Sequence, residues 1–242
     1  MRTITLIIFI TLNLFQPGCN KKSAQKTNDV SLLDTAPNLY ADKVADSLKY
    51  LIPVLDTILR TDQRYRTEDL YMANIAEQNR LDSINTKTVT AILDRYGWLG
   101  MKDIGYLGYT AINMVMAHSK LEYKLKYQPM MLQATLNKKV IPADYALFED
   151  KLNMERKGFQ YYGTQLFEYN NRKWPHPIYQ PDSVDARRTR LKMGTMSQYL
   201  SGFRASWNVQ EYKAKLPELV KYRNSSEANT VHDDLSAVLK SN

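Results

Sequence analysis

Cysteine is almost missing from this chain: one residue, Cys19, in 242. A disulfide within one chain is therefore excluded, and no Cys framework stabilises the fold. Histidine is nearly as scarce, with His118, His176 and His232 only. None of the three belongs to a His-Glu motif at metal-ligand spacing, so no metal and no cofactor is expected. Glycine-rich phosphate loops, a nucleophile elbow and kinase signatures are also lacking, so no motif supports a nucleotide-binding or Ser-nucleophile enzyme, and a site built on Asp, His and Arg is what remains open to a hydrolase or transferase. Phenylalanine is sparse at six residues, whereas tyrosine reaches seventeen. A ring with a polar tip suits half-buried positions, either at the wet edges of an ordinary core or along an aromatic-lined groove.

Basic residues exceed acidic ones, for a formal charge of +8, or +7 once Arg2 and the rest of the first 18 residues are set aside. They are scattered among 25 acids without a long run, so a solvated surface is expected and no nucleic-acid partner. With 44% hydrophobic and 24% charged residues, the composition is that of a folded globular chain.

The only long apolar run opens the chain. Arg2, the stretch Ile4 to Phe15 and the closing Gln16-Pro17-Gly18-Cys19 read as an export signal over residues 1–18. Cys19 stands where a bacterial lipoprotein is cut and lipidated, although Gln16 replaces the usual Leu. An ordinary cleaved signal and a retained anchor are the alternatives. The polar residues 19–40 read as a tether; its 19 residues from Asn20 reach roughly 25 Å root-mean-square from a lipid. This places the protein in the bacterial cell envelope, periplasmic or at the outer membrane, with the membrane as a partner through lipidated Cys19.

Residues 41–222 read as mainly α, a single multi-helix domain with a short β-hairpin or extended segment near 159–168, before a frayed tail over 223–242. Val44 to Leu59 keeps three-and-four spacing, with a kink or restart at Pro53. A long polar helix over Leu70 to Leu93 should stop at Gly97. Ile104 to Met116 is the most apolar helix and should be central. Two more follow over Leu121 to Asn137 and Ala143 to Lys157. Pro175, Pro177 and Pro181 then forbid helix until Asp182 or Ser183. Beyond lie helices over Ser183 to Met193 and Ser197 to Trp207, then Gln210 to Tyr222, broken near Pro217.

Several segments together carry a resemblance. They are Asp62-Gln63-Arg64 with Arg66, Asn85, Tyr96-Gly97-Trp98, His118, and Glu149-Asp150-Lys151. Gln160-Tyr161-Tyr162-Gly163-Thr164-Gln165 and Val184-Asp185 with Arg187-Arg188 complete the set. In this pattern the chain resembles the bacterial DUF6624 family, a domain of unknown function, over about Ala45 to Tyr199. Leu99 stands where that family tends to have Pro. The resemblance implies an organisation and no mechanism.

The candidate site residues are Asp62, Arg64, Trp98, His118, Tyr162, Thr164, Gln165, Arg187 and Arg188. His118 is the candidate catalytic base, oriented by Glu122 one turn on; the plainer reading is a helix-end histidine favoured by the dipole. Asp62 and Arg66 either pair along a helix face, or the arginines Arg64 and Arg66 form a fork for a carboxylate or phosphate. Gly163 points to positive φ or a close backbone approach. Thr164 and Gln165 serve a ligand or satisfy buried backbone. Arg187 and Arg188 diverge by about 100° on their helix, so at most one faces a shared pocket. The expectation is that His118, Gln165, Arg64 and one of Arg187 or Arg188 converge on a concave surface lined by Tyr162 and Trp98. The function that follows is an envelope module binding a small molecule or a protein; the alternative is an envelope hydrolase or transferase using His118.

Overall fold

Pro53 decides where the first long helix begins. It sits in the first turn of α1 (Leu51–Gln63), where its missing N–H costs nothing. The chain before it makes only two 3-10 turns, Ala41–Lys43 and Asp46–Leu48, so the spacing from Val44 is a restart rather than one helix. The computed structural model describes residues 40–66 and 68–226. The export signal, Cys19 and nearly all of the tether lie outside the described residues, as do residues 227–242.

The fold is mainly α, as expected. A short α2 (Glu68–Ala73) is separated from α3 (Ile75–Tyr96) by Asn74 in non-helical geometry. Gly97, at φ 70°, stops α3 where the sequence placed the stop. Next comes α4 (Met101–His118), kinked at Gly105 and carrying twelve buried residues. It is the central helix. At Gly108 an added Cβ would lie 3.1 Å from Leu55 Cδ1, so the missing side chain lets α1 approach α4 closely. α5 (Leu121–Leu136) and α6 (Pro142–Lys157) complete this half, the latter with Pro142 at its start and left-handed Gly158 at its end. Their shared core includes Leu55, Leu59, Leu93, Ile104, Ile112 and Met131.

After α6 the polypeptide runs through an extended loop into the hairpin β1 (Leu166–Tyr169) and β2 (Arg172–Pro175). The strands pair antiparallel with Phe167 opposite Trp174. Asn170 and Asn171 both have positive φ, at 50° and 58°, the backbone that a tight two-residue turn requires. The pairing thus begins where the expected segment ends. α7 (Val184–Arg190), α8 (Met196–Ser201) and α9 (Val209–Ser226) pack over a second core built on Phe159, Trp174, Ile178, Met196 and Tyr212. α9 continues through Pro217 instead of breaking there. Pro217 lies on the exposed face, while Tyr212, Leu216, Leu219 and Val220 bury the opposite one. Arg223 is buried and donates to Gly158 O at 2.8 Å, so the last turn of α9 is tied to the end of α6. Among the described residues, no helix is long and apolar enough to cross a membrane.

Candidate functional site

The apolar stripe of α1 ends in a carboxylate. Leu51, Leu55, Ile58 and Leu59 are buried, and the same face next presents Asp62, 1% exposed. A charge there needs partners. Gln63 Nε2 donates to Asp62 Oδ2 at 2.6 Å, and Arg66 Nη2 reaches Oδ1 at 3.4 Å. Arg66 also donates to Asp82 Oδ1 at 2.6 Å, and Gln78 donates to Asp82 and to Asp62 O. Gln78 and Asp82 are one turn apart on α3, so that helix's polar face is turned inward here.

The last residue of α4 completes the group. His118 Nδ1 lies 3.0 Å from both oxygens of Asp62. Burial opposes the charge on Asp62, but His118 and Arg66 outweigh it and hold the carboxyl below its usual range. An ionised carboxylate has no proton to give, so Nδ1 carries it and the Nε2 lone pair is left over. Nε2 is buried and has no hydrogen-bond partner among the described residues. Burial pushes the imidazole down to about 4, so the ring is neutral at pH 7. Glu122, the expected orienting carboxylate, is exposed. The reason is local: Ser119 and Lys120 are extended, so the helical spacing from His118 to Glu122 does not exist.

Lys151 of α6, partly exposed, lies close enough for its charge to act on both members of this pair. Desolvation, with the charges of Lys124 and Arg66, holds its amine down to about 8. Lys124 is spent on Ser119 O at 2.6 Å and on Glu155. Lys151 has no such hydrogen bond or ion pair among the described residues. The group thus offers one open acceptor and one open donor.

The neighbouring residue on α6 faces the other way. Asp150 is fully buried and accepts from Tyr161 N, Tyr162 N, Thr164 N and Thr164 Oγ1, all within 2.9 Å. Burial raises its carboxyl to about 6, against the pull of those four donors. Gly163 has φ 73°, and a Cβ there would sit 2.6 Å from Met196 Sδ. Gln160 bridges Gln165 N, Gln165 O and His176 O. Arg187 donates to Tyr161 O, and Arg188 to Tyr162 O and Gly194 O. The tyrosine-glycine-threonine loop and the arginine pair therefore form one internal scaffold.

The structure distributes the nine candidate residues over several environments. Asp62 and His118 meet directly. Tyr162, Thr164, Gln165, Arg187 and Arg188 belong to the scaffold around Asp150, with Gln165 Nε2 on Thr164 Oγ1 at 3.0 Å. Trp98 is a core residue, 3% exposed, donating to Asn113 Oδ1 at 3.1 Å. Arg64 is exposed over the Tyr65 ring, and Arg66 is the arginine at the site. α6 joins the two polar groups by carrying Asp150 and Lys151 side by side. Among the described residues no three His, Cys, Asp or Glu side chains are grouped to hold a metal ion.

No curated protein and no solved structure matches the chain. Residues 61–211 match the family described as a family of unknown function, DUF6624, and the match takes in α3 through α8 together with Asp62, His118, Lys151 and the Asp150 scaffold. With more than half of its length inside that match, the chain belongs to the DUF6624 family.

Proposed function

We propose that the mature chain is a cell-envelope lipoprotein, held to a membrane through lipidated Cys19, that binds a small polar ligand at His118 and Lys151. One observation carries the reading: a buried Nε2 acceptor has no partner among the described residues, and an amine that is also unspent stands close enough for its charge to act on the same ring. Leaving such a buried group unpaired costs about 1–3 kcal/mol, which a ligand donor would relieve. A ligand with a hydroxyl or N–H next to an anionic oxygen answers both atoms.

The same atoms also describe a hydrolase or transferase in which Asp62 orients His118 as general base. That reading is favoured by the two 3.0 Å contacts, which fix the ring and its tautomer. Against it stands the basicity. A group held at about 4 is a weak base at neutral pH, whereas it remains a sound hydrogen-bond acceptor. Binding is the better supported role.

Equilibrium dialysis against the small-molecule fraction of an envelope extract tests it. Wild type should retain at least one compound that His118→Phe and Lys151→Met both lose. Equal retention by all three proteins would remove the site.

A further inference from the structure

A concavity borders the Asp150 scaffold, between the extended loop and α7. Its volume is about 300 Å³, and Tyr161, Tyr179, Gln180, Ser183, Arg187 and Arg190 line it. That is the small end of ligand pockets. The walls are aromatic. Tyr161 and Tyr179 meet edge to face at 5.6 Å, and Phe159 stacks on Tyr179 at 5.3 Å.

The pocket lining carries cations and no carboxylate; the carboxylate whose charge reaches Arg187 is buried Asp150, which makes no ion pair with it. Arg187 spends Nε on Tyr161 O at 2.8 Å and Nη2 on Tyr179 O and Gln180 O at 2.6 and 3.2 Å. Those three carbonyls fix the guanidinium plane yet leave Nη1 unspent, and carbonyls do not neutralise the charge. No carboxylate forms an ion pair with Arg187 or Arg190 among the described residues; Asp182 pairs with Lys213, and Asp185 accepts from Met196 N. Lys157 adds a further cation, 3.3 Å from Tyr161 Oη and over the Tyr161 ring. Gln180 holds left-handed backbone at φ 44°, ψ 70°, a costly conformation for a residue with a side chain. It turns the carbonyls of Tyr179 and Gln180 onto Arg187.

We propose that this pocket binds an oxyanion, carboxylate or phosphate, carried on a flat ring, with the ring against Tyr161 and Tyr179 and the anion on Arg187 and Arg190. With the plane fixed by the carbonyls, the Nη1 N–H groups are held ready for a charge-assisted hydrogen bond to an oxyanion, beside the free charge of Arg190. The site is separate from His118 and stands or falls without it.

The test uses the soluble Cys19→Ala chain with phenyl phosphate and benzoate as probes, benzamide as the neutral ring, and inorganic phosphate as the ringless anion. Both ring anions should shift the Tyr161 and Tyr179 resonances saturably, and benzamide and inorganic phosphate should bind at least about tenfold more weakly. Arg190→Glu removes an exposed charge that makes no hydrogen bond to the fold among the described residues. It should weaken phenyl phosphate about threefold to tenfold at unchanged melting temperature. Arg187→Lys, which keeps the charge and loses Nη1 and the carbonyl-fixed plane, should weaken it further. Benzamide binding as tightly as benzoate would overturn the proposal. So would equal phenyl phosphate affinity in Arg190→Glu, or no shift at either tyrosine up to about 10 mM probe.

Discussion

His118 Nδ1 is equidistant, at 3.0 Å, from the two oxygens of Asp62, a residue 56 positions earlier in the chain. The contact joins the end of α1 to the end of α4 and sets the protonation of the ring. Its pH consequences have a definite sign. The imidazole falls from 6.5 to about 4 on folding, so between those values the unfolded chain binds more protons. This contribution to stability is therefore full above pH 6.5 and declines as the pH falls toward 4, while Asp150, raised to about 6, works in the opposite sense below that value. Buried His176, held down to about 3, and Asp62 add in the same direction as His118. Urea midpoints at pH 7 and pH 5 should differ less in His118→Gln than in wild type.

Lys151 predicts a gain at the alkaline side. Its amine sits at about 8 in the fold against 10.5 unfolded, so stability rises as the pH climbs through that interval. Lys151→Met should abolish the rise and stabilise the protein at pH 7 by up to about 1 kcal/mol, since it removes an unpaired, partly desolvated charge. Denaturant titration across pH 7 to 10 checks both.

Asp150, one residue earlier, should behave in the opposite way. Asp150→Asn turns an amide toward backbone N–H groups that now reach a carboxylate, for a loss of about 3 kcal/mol or more. Gly163→Ala should cost about 1–3 kcal/mol through its positive φ, with more from the Met196 clash. Thermal melts of the two variants, each set against Lys151→Met, read this directly.

Cys19→Ala should move the protein from the membrane fraction to the soluble one and abolish palmitate labelling. A variant that stays with the membrane points to a retained signal anchor.

Periodicity carried most of the helices. Ile104 to Met116 reads as a central helix because its apolar residues face every direction, and Gly97 marks a stop because only positive φ ends α3 there. The two-asparagine turn that closes the hairpin between Leu166 and Pro175 is an equally local signal, and the extended segment expected near 159–168 leads into its first strand. Long-range polar pairing was not legible. Gln78 and Asp82 look like solvated positions on a polar helix, and only the approach of α1 turns them into partners of Arg66. Glu122 looked like the partner of His118 because the extended pair Ser119-Lys120 is invisible to helical spacing. Lys151 likewise reads as a surface lysine until α6 packs beside α4.

Nitrogen-15 NMR of His118 tests the central claim most directly. The account predicts a neutral ring protonated on Nδ1 and bare at Nε2, unchanged from about pH 8 to about pH 5, with the Nε2 shift altered in Lys151→Met. A ring protonated on Nε2, or an imidazolium at pH 7, would contradict it.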